Sequence, residues 1–155
     1  MRTRLFVFAV LVLTLTSVAM AADDPFVGTW KLDLGKTKVP PGQEMKSYVM
    51  KWEKHGSGYK NTADAIGATG AAFHVEFTVQ EEGVDYPMTG NPIANTVSYN
   101  KIDAGTVGAM LKRTGTVVAR MRSSVSADGK TLTIIQTIVG ANGSETASTL
   151  IFEKQ

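Results

Sequence analysis

The chain has 155 residues, with 16 basic and 14 acidic side chains, 43% apolar residues and no cysteine. Without cysteine an exported chain has neither a disulfide framework nor a lipid-modified anchor, so its stability must come from burying one apolar core. A near-neutral charge without a basic cluster offers no counterion release to nucleic acid and no polybasic surface to anionic lipid, which sets both aside as partners.

In chain order, Arg2 and Arg4 precede an apolar run over residues 5–13, which weakens through residues 14–17 before Ala19, Met20, Ala21 and Ala22. These are the charged region, apolar region and small-residue cleavage site of a secretory signal. The small side chains at Ala19 and Ala21 place the cut after Ala21, with the next bond as second choice. The apolar run is about half the roughly 20 residues that a membrane-spanning helix needs. The expected organisation is a signal-peptide helix over 1–21 and one domain over 22–155, with no membrane anchor after cleavage. Loss of the two arginines leaves fourteen basic against fourteen acidic residues, a formal charge of zero. The expected location is periplasmic or secreted, and periplasmic first because no further export signal is visible.

Beyond the signal no helical periodicity is sustained. Phe26, Gly28, Trp30, Leu32 and Leu34 alternate with Val27, Thr29, Lys31 and Asp33, the clearest strand in the chain. Residues 35–44 follow, whose Pro40, Pro41 and Gly42 exclude regular structure. Tyr48, Met50 and Trp52 then share one face, with Ser47, Lys51 and Glu53 on the other, before a glycine-rich turn at 55–58. Residues 59–66 are less patterned and read as an edge strand or part of a loop. Phe73, Val75, Phe77 and Val79 alternate with His74, Glu76, Thr78 and Gln80. A short piece at 84–88 leads through Gly90 and Pro92 to a strand over 96–102. The last third reads as hairpins: 106–113, a turn near Gly115, 116–126, Asp128-Gly129, 130–139, Asn142-Gly143 and 145–153. Asp-Gly and Asn-Gly supply the positive φ angles of tight hairpin turns. The fold class is all-β, about eight to ten antiparallel strands in up-and-down order. Closing them into a barrel would remove their exposed edges.

The segment Phe26-Val27-Gly28-Thr29-Trp30-Lys31-Leu32 resembles the N-terminal strand of the calycin superfamily, the lipocalins and fatty-acid-binding proteins. The final residues 151–154 look like the last strand of a fatty-acid-binding protein. More closely, the chain resembles a group of small exported bacterial lipocalin-like proteins. That likeness is carried by residues 24–30, by Asp85-Tyr86-Pro87-Met88-Thr89-Gly90-Asn91-Pro92, by residues 125–131 and by Phe152-Glu153-Lys154-Gln155. It implies a lipocalin-like β-barrel and no particular activity. Two features depart from fatty-acid-binding proteins. Their carboxylate-holding Arg-x-Tyr is matched here by Leu150 and Phe152, and their helical lid by the Pro-Pro-Gly spacer.

Trp30 and Gly28 read as structural, the indole closing one end of the barrel and the glycine allowing the neighbouring strand close approach. Tyr48, Met50, Trp52, Phe73, Phe77, Tyr99 and Met121, with Met88 and Met110, either line an apolar pocket or fill a small core, because methionine serves both purposes. Gln136 shares a face with Leu132, Ile134 and Ile138, and Ser123 shares one with Val117, Ala119, Met121 and Val125. Both would point inward and need a hydrogen-bond partner, from a ligand, a neighbouring strand or water. Thr146 and Ser148 raise the same question. Arg113, Arg120 and Arg122 read as solvated. His55 and His74 share no geometry, so no metal site, cofactor or catalytic residue is implied. The expected function is non-covalent binding of a small hydrophobic or amphipathic ligand. The alternatives are a structural or protein-interaction barrel with a packed interior and, without supporting motifs, an enzyme on this scaffold.

Overall fold

The computed structural model describes residues 24–155, so the expected signal segment, its helix and its cleavage site lie outside the described residues. Ten strands follow in chain order: β1 (Gly28–Leu32), β2 (Ser47–His55), β3 (Gly58–Ile66), β4 (Ala72–Val79), β5 (Tyr86–Thr89), β6 (Thr96–Asp103), β7 (Thr106–Arg113), β8 (Thr116–Val125), β9 (Thr131–Val139) and β10 (Glu145–Lys154). Each pairs antiparallel with its neighbours in sequence, and β1 also pairs with β10, so the meander closes without a free edge. The strands carry Lys51, Glu53, Asp64, Arg120 and Arg122 outward and most of their apolar side chains inward. Strands that face lipid have the reverse pattern.

Three local readings are corrected. Residues 58–66 form neither an edge nor a loop but a full strand, paired along its length with β2 and β4. Its inward positions hold Tyr59, Asn61, Ala63 and Ala65 while Ile66 is exposed, and small or polar interior residues blur the alternation. The first strand stops at Leu32. There the Asp33 carboxylate accepts the N–H groups of Gly35 (2.9 Å) and Lys36 (3.1 Å), turning Leu34 into solvent at 54% exposure. In β8 the pairing slips between Leu111↔Ala119 and Lys112↔Val117. The extra residue brings Val118, not Val117, against the core.

One end of the barrel is sealed. Trp30 and Phe152 are fully buried there with Leu132 and Val79, and the indole N–H of Trp30 donates to the Phe26 carbonyl at 2.9 Å. Gly28 has φ +137°, a conformation closed to ordinary side chains, and the Lys154 stem lies over it. Its requirement is therefore dihedral, since a flexible side chain, not strand backbone, is what approaches it. The Lys154 ammonium sits 5.1 Å from the Trp30 ring centre. Asp24 completes the seal, accepting the Tyr59 hydroxyl, the Lys54 ammonium at 2.7 Å and the Phe26 N–H at 3.1 Å. Burial pushes the Asp24 carboxyl up, but these hydrogen bonds outweigh it and hold the group below the usual carboxylate range.

Candidate functional site

Above the seal the interior is hollow, a cavity of about 340 Å³ that reaches the opposite end of the barrel. Alternation on successive strands builds its wall. Tyr48, Met50 and Trp52 come from β2, Tyr59 and Asn61 from β3, and Phe73, Val75 and Phe77 from β4. Tyr99 projects from β6, Ala109 from β7, Met121 and Ser123 from β8, Ile134, Gln136 and Ile138 from β9, and Ser148 and Leu150 from β10. Val39, Gln43 and Met45 of the spacer, with Asn91, Pro92 and Ile93 of the β5–β6 loop, border the mouth. The spacer is anchored by paired bonds between the Lys38 and Thr149 backbones, both 2.7 Å, so it leans on β10 where a helical lid is absent.

The structure therefore brings Tyr48, Met50, Trp52, Phe73, Phe77, Tyr99, Met121 and Gln136 around one cavity. Met88 joins them, whereas Met110 points outward and is 42% exposed. Gly28 and Trp30 are outside the lining, in the sealed end. Sequence reasoning missed Tyr59 and Asn61, which lie in the weakly patterned strand. It also missed the mouth residues, since a spacer without period gives no sign of which side chains turn inward.

The aromatic side of the wall is held by edge-to-face contacts. Trp52 meets Phe77 at 5.7 Å between ring centres and Tyr59 at 6.1 Å, and Tyr59 meets Tyr99 at 6.3 Å. Tyr48 stands edge-on to Phe152 at 5.3 Å. Each such pair contributes about 0.5–1.5 kcal/mol beyond its buried area, which fixes the rings and keeps this wall from collapsing inward.

The polar groups divide into those already paired and those that are free. The Tyr59 hydroxyl is held by Asp24, the Tyr99 hydroxyl donates to the Gln80 carbonyl at 3.4 Å, and the Asn61 amide donates to the Lys51 carbonyl at 3.3 Å. The side chains of Tyr48, Ser123, Gln136 and Ser148 have no hydrogen-bond partner among the described residues. Yet no side-chain nitrogen or oxygen there is both sealed and unpaired, so these groups open onto the cavity. Burial pushes the Tyr48 phenol up to about 12, which keeps it a neutral donor. Ser148 faces Gln136 across the β10–β9 pair, and Ser123 is on the next strand.

Among the described residues no Asp, Glu, Lys, Arg or His lines the cavity. Arg113 is tied to the β5–β6 loop, donating to the Ile93 carbonyl at 2.8 Å and the Pro92 carbonyl at 2.6 Å. His74 faces outward against Asp64 at 2.7 Å, and His55 is exposed at a hairpin end. Chemically, the wall can hold an apolar body by contact and satisfy a few neutral hydrogen bonds.

No protein-family model matches the sequence, and neither does any curated protein. The chain is similar in structure to a zebrafish ileal bile acid-binding protein crystallised with cholic acid, with a TM-score of 0.52 and 13% identity over 84% of this chain and 99% of that one. It also aligns with the siderocalin Ex-FABP, with a TM-score of 0.38 and 11% identity over 84% of this chain and 74% of that one. The likeness to the bile acid-binding protein shows the fold, a closed antiparallel calycin-like barrel of the kind that the motif at residues 26–32 implies.

Proposed function

We propose that this protein is a carrier or receptor domain that takes up a small hydrophobic or amphipathic molecule non-covalently, after export through its N-terminal signal. The observation that carries this reading is the cavity of about 340 Å³, within the lower range of small-molecule sites, with an apolar wall and a few convergent polar groups. A barrel of the same fold in the zebrafish bile acid-binding protein holds cholic acid, which accords with it. A structural module with a packed interior would leave no such void. An enzyme would need a base or acid beside one of these hydroxyls to activate it, and among the described residues the lining holds no Asp, Glu, Lys, Arg or His.

The two tryptophans make a convenient test, because Trp52 borders the cavity while Trp30 is sealed. Titration of the mature protein with N-phenyl-1-naphthylamine should give saturable one-to-one binding that quenches Trp52. Absence of saturable binding by this probe and by a panel of apolar compounds would remove the carrier reading. Export is tested separately by the N-terminus of protein recovered from the periplasm or medium. It should begin at Ala22, and retention of residues 1–21 would contradict the signal assignment.

A further inference from the structure

Resting on the binding reading above, we infer that the cavity selects uncharged ligands carrying one hydrogen-bonding group, such as long-chain alcohols, esters or amides, and rejects the matching carboxylates and amines. An ionised headgroup brought inside would lose its water and find no counter-charge, since the lining carries none. Two charged groups that touch lining residues are already engaged. Asp24 is neutralised by Lys54 at 2.7 Å and capped by Tyr59, and Arg113 is bound to two loop carbonyls at 2.6 and 2.8 Å. On the last strand Leu150 and Phe152 are buried apolar residues and offer no anchor for an acid.

Of the four free groups of the wall, Tyr48 stands on β2 beside the aromatic side, and the other three gather on the opposite side. Ser123, Gln136 and Ser148 stand together on β8, β9 and β10, whereas Trp52 and Phe77 present an aromatic surface on β2 and β4 across the barrel. Ser148 is only 6% exposed and its hydroxyl is unpartnered among the described residues, so the surface it retains is cavity surface. Gln136 offers both a donor and an acceptor, and serine does the same. A ligand with one neutral polar end and an apolar body is thus seated with its polar end toward β8–β10.

The test uses the mature protein loaded with N-phenyl-1-naphthylamine at pH 8 and challenged with 1-decanol, methyl decanoate, decanoate and decylamine. Decanol and the ester should displace the probe, and the two ions should do so at least about 100-fold more weakly. Lowering the pH toward the ordinary carboxylic pKa of about 4.3 should strengthen decanoic acid alone, as its neutral form appears. Ser148→Ala and Gln136→Leu should each weaken decanol about tenfold relative to the probe measured on the same variant. Equal binding of decanoate and decanol overturns the charge selection while the carrier reading stands. Unchanged decanol affinity in both variants overturns the seating on β8–β10. If neither the probe nor any compound of an apolar panel binds, the carrier reading falls and this inference with it.

Discussion

Adding the same atoms at two alanines should have opposite effects on stability if the barrel is hollow. Ala109 on β7 borders the cavity, whereas Ala119 on β8 is fully buried and outside its lining. Alanine to leucine adds three carbons, each contributing about 0.8 kcal/mol when buried, and costs about 0.5–1 kcal/mol of side-chain entropy. At position 109 the new atoms enter empty space, so Ala109→Leu should stabilise the protein by about 1–2 kcal/mol. At position 119 they must displace Leu111 and Ile138, which face it from the adjacent strands, and overpacking of this kind costs about 1–3 kcal/mol. Urea denaturation of both variants at constant m reads the difference as midpoints moving in opposite directions. A loss at position 109 as large as that at position 119 would mean that the interior is filled, and would refute the argument from the cavity.

Gly90→Ala should be among the most damaging surface-loop substitutions. Its Cβ would fall 1.6 Å from the His74 carbonyl oxygen, and φ there is +72°, so β4 and β5 must part, with a loss of roughly 2–4 kcal/mol in chemical denaturation. Thr114→Asn should stabilise by about 1 kcal/mol in the same assay, because Thr114 is a β-branched residue held at φ 50° in the β7–β8 turn, where asparagine is tolerated far better. Tyr48 should ionise near pH 12 in an ultraviolet titration. Its folded pKa lies above the unfolded value of 10.0, so its contribution is intact below pH 10 and is lost as pH rises through 10 to 12, by about 3 kcal/mol. Tyr48→Phe should flatten that alkaline loss, and a wild-type loss unchanged by the substitution would show that another group causes it.

The legible part of the fold was the part written in strict alternation. Trp30, Met50, Phe77 and Leu132 each occupy alternate positions of strands whose opposite positions are mostly polar, and that pattern suffices to turn them inward. The same rule faced Gln136 and Ser148 inward, since strand geometry fixes direction irrespective of polarity. Where the interior residue is small or polar, as at Asn61, Ala63 and Ala65, the signal fades although the strand is fully paired. A bulge at Val118 reverses the phase without any mark in composition. Whether the barrel is hollow depends on volumes summed around the whole ring, with Ala109, Ser123 and Ser148 on one side and fixed aromatic rings on the other. Local pattern does not carry such a sum, which is why the methionines and aromatics could be read either as core or as pocket lining.

Native mass spectrometry of the mature protein, purified gently from its own periplasm or culture medium and repeated after organic extraction, tests the central claim most directly. The account predicts an extractable neutral adduct at close to one per chain, whose removal leaves a folded barrel that takes up 1-decanol. A clean apo mass, with no uptake of decanol or any member of a hydrophobic panel and no shift in melting temperature, would contradict it.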